Sequence, residues 1–276
     1  MRPLVCALAI ASAVSRGADP DEFIQQARAA LKEGDAAAAL AAANKAVEAD
    51  PKSAAAVFAR GDAYAAQRKH AEAIKDYDAA LALDKNLHAA VDHRGGEKFK
   101  LGQIDEALAD FNAYLKAVPK AEPAHWRRGI AFYYAGKYAE GAKQFFDGQV
   151  EFGADVENVF WHFLCNARKD GIDKARKDLI PLTGRDRRVP MMQVNDLLHG
   201  KAKPEDVVKA AETADLKGDD KTEALFYAHL YVGLHFEAAG DEARTREHLA
   251  AAVDHKIGHY MWDVADVHLK LLKAKK

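Results

Sequence analysis

The chain has 276 residues, with 40 Lys and Arg against 42 Asp and Glu and a formal net charge of −2. That balance argues against a general nucleic-acid binder, which carries a clear basic excess, so no nucleic-acid partner is expected. Two cysteines exclude a disulfide-stapled scaffold, a 49% hydrophobic content excludes a disordered tail, and alanine at about a fifth of all positions favours closely packed helices.

Residues 1–18 read as a secretory signal peptide. Arg2 gives the positive start, Leu4 to Ala13 an apolar run, and Ala11-Ser12-Ala13 a small–x–small cleavage site, with Ala18 as a second option. The run is too short to span a bilayer, which takes about 20 apolar residues, and no later stretch reads as transmembrane. Too few residues precede Cys6 for it to follow a signal sequence as a lipidated cysteine, which leaves Cys165 as the mature thiol. Export to the periplasm or cell envelope is the expectation.

Residues 19–155 repeat. Arg-Gly recurs as Arg60-Gly61, Arg94-Gly95 and Arg128-Gly129, a spacing of 34 residues. Small residues recur at Ala73, Ala107 and Gly141, and aromatics at Tyr77, Phe111 and Phe145. Gly102 and Gly136 mark turns, and a degenerate first copy places Ala27, Gly34, Ala39, Ala46 and Pro51 in the same columns. This period and these columns resemble the tetratricopeptide repeat (TPR). The resemblance implies four antiparallel helix hairpins, each burying its apolar face only by stacking on a neighbour. Arg60 and Arg94 face Asp76 and Asp110 and should pair within their repeats. Gln144 stands in that column of repeat four, which leaves Arg128 without the same partner.

Beyond 155 the period weakens, and residues 156–220 read as an irregular helical segment. Val156–Lys169 predicts a helix, Asp173–Leu182 its antiparallel mate, and Thr183–Pro190 a basic, solvated loop. Met191–His199 and Pro204–Ala214 predict two shorter helices, and Leu216–Asp220 a polar linker. Residues 221–276 bring back a TPR-like pair, with Gly233, Phe236 and Gly240 in their columns. His259–Leu272 predicts a final helix that caps the stack. No segment alternates as a strand does. The expected class is all-α, a TPR α-solenoid with a helical insert.

The order of three irregular parts resembles the NlpI-type TPR lipoproteins of the bacterial envelope. These parts are the helix His125–Tyr138, the aromatic helix VFWHFLCNARK, and the late pair followed by an aromatic, His-containing helix. The resemblance implies dimeric, non-enzymatic adaptors that gather wall hydrolases and proteases. The chain departs from it in having no usable lipobox and no long extension before the repeats.

In a TPR stack the first helix of each repeat lines the binding face. Here that face comprises Phe58 and Asp62 from repeat two, Asp92 and Phe99 from repeat three, and Trp126, Ile130 and Tyr133 from repeat four. His93, Lys100, Arg127 and Tyr134 flank them. Aromatics beside an arginine suit an extended peptide or a partner helix. A carboxylate clamp is excluded, because Lys and Asn are missing and Asp62 would repel the ligand. His259 and Asp263, four apart with His268 further on, lack the spacing of a metal motif. No Walker, G-x-S-x-G or dinucleotide motif occurs, so neither cofactor nor metal is expected. The reading is an exported, protein-binding adaptor. The alternatives are a scaffold that self-associates through its C-terminal helices and an exported enzyme with its site in 156–220. Reversing Arg185, Arg187 and Arg188 would test the basic loop for an acidic partner.

Overall fold

The structure is a computed structural model, and it describes residues 19–274. Among these residues every regular element is helical. The signal-peptide reading lies outside them. The chain divides after Lys85 into two compact units.

The first unit holds α1 (Pro20–Lys32), α2 (Ala36–Ala49), α3 (Ala54–Ala66) and α4 (His70–Leu83). Its helices start where short polar side chains satisfy otherwise orphaned amides: Asp19, Asp35 and Ser53 accept from the first turns of α1, α2 and α3. Its interior is built of small side chains, with Ala27, Ala39, Ala43, Ala46 and Ala56 fully buried around Ile24.

The second unit begins with α5 (His88–Lys100), α6 (Ile104–Ala117), α7 (Trp126–Tyr134), α8 (Tyr138–Asp147) and the short α9 (Gln149–Phe152). It continues with α10 (Val156–Asp170), α11 (Ile172–Lys177), α12 (Met191–Leu198) and α13 (Pro204–Thr213). It closes with α14 (Gly218–Ala238), α15 (Glu242–Asp254) and α16 (Tyr260–Ala274). Its core is aromatic, with Phe99, Phe111, Phe145, Phe160, Trp161, Phe163 and Tyr231 buried together.

The recurring Arg-Gly pair has a steric and an electrostatic half. A Cβ on Gly61, Gly95 or Gly129 would lie 2.7, 2.8 or 2.6 Å from the ring of Tyr77, Phe111 or Phe145. The glycine therefore lets the second helix press its aromatic against the first helix's backbone. Arg60 donates to Asp76 at 2.7 and 2.8 Å, and Arg94 to Asp110 at 2.8 and 2.5 Å, clamping the same hairpins. Arg128 departs from the expectation of a missing partner: its guanidinium donates to Gln144 at 2.8 and 2.5 Å and to Glu122 at 2.7 Å. Gln144 keeps the clamp as a neutral acceptor.

Three local expectations are corrected. The mate of α10 is only Ile172–Lys177, and residues 178–190 run on as a loop before α12. The linker expected at Leu216–Asp220 is half helix, because α14 starts at Gly218 with Asp219 and Asp220 in its first turn, where acids favour the helix dipole. The last helix does not merely cap the stack: α16 buries Met261, Val264, Ala265, Val267 and Leu272 and reaches back to α5 and α7.

Candidate functional site

The inner helices of repeats three and four, α5 and α7, carry most of the residues expected to bind a partner, and α16 lies on them. Tyr260 stacks on Phe99 with ring centroids 5.6 Å apart and meets Trp126 edge-on at 5.2 Å. Gly96 makes room, since a Cβ there would come within 3.2 Å of the Arg127 guanidinium and 4.0 Å of the Tyr260 ring. One turn on, Asp263 approaches the Lys100 ammonium at 4.0 Å. Further along, the Tyr134 hydroxyl meets His268 Nδ1 at 3.0 Å. Tyr133 donates to Glu237 of α14 at 2.5 Å, and Arg168 holds the same carboxylate at 3.2 Å. Burial and the Glu237 charge push both tyrosine hydroxyls well above their usual pKa, so they stay protonated.

The expectation of an open face on repeats three and four is thereby corrected. Phe99, Ile130 and Tyr133 are core residues. Arg127 is engaged with Asp92 at 2.5 Å, and His125 holds the other oxygen of Asp92 at 2.8 Å. The His125 Nδ1 accepts from the Arg128 amide, so its Nε2 carries the proton that Asp92 receives. This bonding holds Asp92 below the usual carboxylate range despite its burial. His93 and Lys100 are half-buried, the latter bonded to Glu97 at 2.7 Å. In the first unit Phe58 packs on Tyr77 at 5.6 Å, and Asp62 accepts from the Tyr77 hydroxyl at 2.8 Å. Burying Met261, Val264, Val267 and Leu272 is worth up to about 1.5–3 kcal/mol each, which makes α16 a fixed part of this unit. An amphipathic helix fits the face, and the chain supplies that helix itself.

Beside α16 a cavity of about 160 Å³ stays open to solvent. Trp126, Phe145, Phe152 and Trp161 form its aromatic walls, with Ile130 and Met261 below and Asp155, Glu157, Arg188 and His259 at its polar side. Here the basic loop is corrected too. Arg188 is not a solvated charge: it donates to Asp155 at 2.6 Å, to Asp186 at 2.6 Å, and to Glu157. Arg185 and Arg187 are exposed. Asp186 is buried and held below the usual range by Arg188, against the opposing cost of burial. Glu157 also accepts from the Tyr231 hydroxyl at 2.5 Å. Burial pushes Glu157 up to about 7, with Asp155 adding to the rise and Arg188 opposing it.

Sequence reasoning picked out Trp126, Ile130 and Arg188 but not Asp155 or Glu157. Glu157 is an acid in the first turn of α10, and Asp155 caps that helix by accepting from the Glu157 amide at 2.8 Å. Only the loop between α11 and α12, folded back onto α10, turns them into a cluster. Cys165 is buried against Gly141, and burial raises its thiol pKa, so it packs as a small apolar side chain. His259 meets the Tyr227 hydroxyl at 3.2 Å, and Asp263 is buried and approaches Lys100 at 4.0 Å. Among the described residues no group of three or more His, Cys, Asp or Glu is arranged to hold a metal ion, and no helix is long and apolar enough to cross a membrane.

The tetratricopeptide repeat family model matches residues 24–87 and 94–155. The mouse (Mus musculus) DnaJ homolog subfamily C member 3 is 31% identical over 105 residues, which is 38% of this chain and about a fifth, 21%, of that relative's length. Among solved structures, a tetratricopeptide repeat protein from Parabacteroides merdae aligns over 92% of this chain and 98% of its own, at 18% identity and a TM-score of 0.58. YrrB, described as a TPR protein with an unusual peptide-binding site, aligns over 58% of this chain and 86% of its own, at 21% identity and a TM-score of 0.50. The glycine–aromatic contacts and the Arg–Asp clamps agree with the family match: residues 24–87 and 94–155 are tetratricopeptide repeats.

Proposed function

We propose that the chain is an exported, non-enzymatic adaptor of the cell envelope that binds other proteins through its repeat units. One observation carries the reading: the inner face of α5 and α7 holds an amphipathic helix, α16, through ring stacking, an ion pair and hydroxyl hydrogen bonds. Faces of this construction recognise helices and extended peptides. With α16 in place, the surfaces offered to a partner include the cavity beside α16 and the first unit, where Phe58 and Asp62 of α3 are half-buried. The match to tetratricopeptide repeats supports protein binding in general. Export and wall hydrolases or proteases as partners rest on the signal-like residues 1–18 and on the NlpI-type resemblance. The polar groups of the cavity are bonded to one another, with Arg188 on three carboxylates and Glu157 on Tyr231, which suits recognition better than turnover.

The test is capture from envelope extract by the chain from residue 19 onward, followed by cross-linking and mass spectrometry. The expected result is a small set of proteins whose cross-links fall on α1, α3 or α7–α10. Recovery of the bait alone would overturn the adaptor reading. It would favour self-association, for which the exposed Phe146 and Val150, 60% and 79% accessible and four residues apart, are the specific support. Light scattering of Phe146→Glu against the parent chain would decide that second reading. A reporter fused to residues 1–18 and active only after export tests the compartment.

A further inference from the structure

We infer that the cavity beside α16 receives a basic side chain, lysine or arginine, of a partner polypeptide. The inference rests on the protein-binding reading and specifies the chemistry of one of its sites. Size comes first. A volume of about 160 Å³ matches one side chain, since a cavity of about 150 Å³ holds a benzene ring. The walls come second. The rings of Trp126, Phe145, Phe152 and Trp161 offer apolar flanks for a methylene stem.

Charge decides between a cationic and an anionic guest. Asp155, Glu157 and Asp186 share a single guanidinium, that of Arg188. Asp155 and Glu157 line the cavity itself. The neighbourhood therefore already holds one guanidinium, which also lies over the Tyr227 ring at 5.8 Å from its centroid. Carboxylate charge remains in surplus, so a second cation is attracted and an anion repelled.

That surplus has a signature. The groups acting on Glu157 are Asp155 beside it in sequence, Arg188 of the loop, and Tyr227 and Tyr231 of α14, while His259, ahead of α16, lines the same cavity. Burial lowers the pKa of His259, so it adds no competing positive charge at neutral pH. With Glu157 titrating at about 7, an arriving cation favours its ionised form and expels its proton. Binding should therefore tighten as pH rises from about 6 to 8, by up to about tenfold.

The experiment uses the full chain with ¹⁵N-labelled tryptophan indoles and three small probes: N-acetyl-arginine methylamide, its norleucine analogue and its glutamate analogue. The chain has three tryptophans. Trp126 and Trp161 line the cavity, and the Trp161 indole N–H is buried with no partner among the described residues. Trp262 donates to the Val253 carbonyl at 2.9 Å and serves as the internal reference. The expected result is a saturable shift of the Trp126 and Trp161 signals, with millimolar affinity for so small a probe. The norleucine analogue should bind at least tenfold more weakly. Asp155→Asn, which keeps a side-chain oxygen to cap α10, should weaken the arginine probe about 5–10-fold, and the pH trend should follow. Equal binding of norleucine, stronger binding of glutamate, or no saturable shift at about 50 mM of the arginine probe would overturn the assignment. If partners are captured from envelope extract while the arginine probe gives no shift, protein binding stands and this site falls. If the probe binds and no partner is captured, the adaptor reading falls instead and takes the partner polypeptide named here with it.

Discussion

The two units solve the same packing problem with different material. In the first, α1 to α3 close on alanines, and the interior gains little hydrophobic area per residue but lets backbones approach closely. In the second, rings fill the space between helices: Phe160 packs on Tyr231 at 4.6 Å, and Trp161 lies against Tyr133 at 5.5 Å. Aromatic side chains bury several times the area of alanine and are worth more per contact. The repeat is thus a geometric rule that tolerates either filling, while the energy resides in the filling. The second unit should be the more stable of the two, and the difference can be read directly. Trp126, Trp161 and Trp262 all lie after Lys85. Tryptophan fluorescence therefore follows the second unit alone, and circular dichroism follows both. Urea should produce a helical loss that precedes the fluorescence change; coincident transitions would break the comparison.

The largest expected effect is on the ring core. Trp161→Ala should cost the second unit about 3–5 kcal/mol, read by its fluorescence midpoint through the two remaining tryptophans, with the early helical loss unmoved. Glu157 comes next, through pH. Its native pKa of about 7 lies above the ordinary 4.5, so between those values the folded state holds more protons than the unfolded chain. Stability should fall as pH rises through that window, by about 3 kcal/mol in all. Glu157→Gln should remove that slope, checked by urea midpoints at pH 5 and 8; parallel profiles for parent and variant would refute the burial argument. The repeat glycines give a smaller, paired test. Gly129→Ala should cost about 1–3 kcal/mol because the Phe145 ring has no room to retreat. Gly61→Ala should cost less, because the small side chains of the first unit leave less apolar area to lose when Tyr77 shifts; equal losses by calorimetry would mean that the filling does not set the cost. The smallest effect should be a gain. Arg68 adopts φ +59°, at the turn position that Gly34, Gly102 and Gly136 occupy with φ near +75°. Arg68→Gly should relieve left-handed backbone strain and stabilise the first unit by about 0.5–1 kcal/mol, seen as a later onset of helical loss.

Local regularities were legible in the sequence and long-range ones were not. The 34-residue spacing of Arg60-Gly61, Arg94-Gly95 and Arg128-Gly129 located the hairpins, because each glycine answers an aromatic about sixteen residues later in the same repeat. The clamps from Arg60 to Asp76 and from Arg94 to Asp110 followed from the same register. The occupancy of the α5 and α7 face was hidden. Tyr260 meets Phe99 across more than a hundred residues, and no period connects them. The helix His259–Leu272 was recognisable as a final cap on the stack, but a cap seen in sequence does not say which earlier helices it covers. The acid cluster at Asp155 and Glu157 was hidden for a related reason. An acid in a first turn has a sufficient local explanation, and only the path of the loop carrying Asp186 and Arg188 gives it a second one.

The position of α16 sets an order of events for a chain made from its N-terminus. The α5 and α7 hairpins can form as soon as they are synthesised, since their contacts are local. The helix that covers their inner face follows more than a hundred residues later, a delay of several seconds or more at about 5–20 residues per second. Throughout that interval Phe99, Trp126 and Tyr134 lie bare on a folded hairpin stack. A nascent chain therefore presents a sticky surface that the finished molecule lacks, and any factor that escorts it would find its handle there.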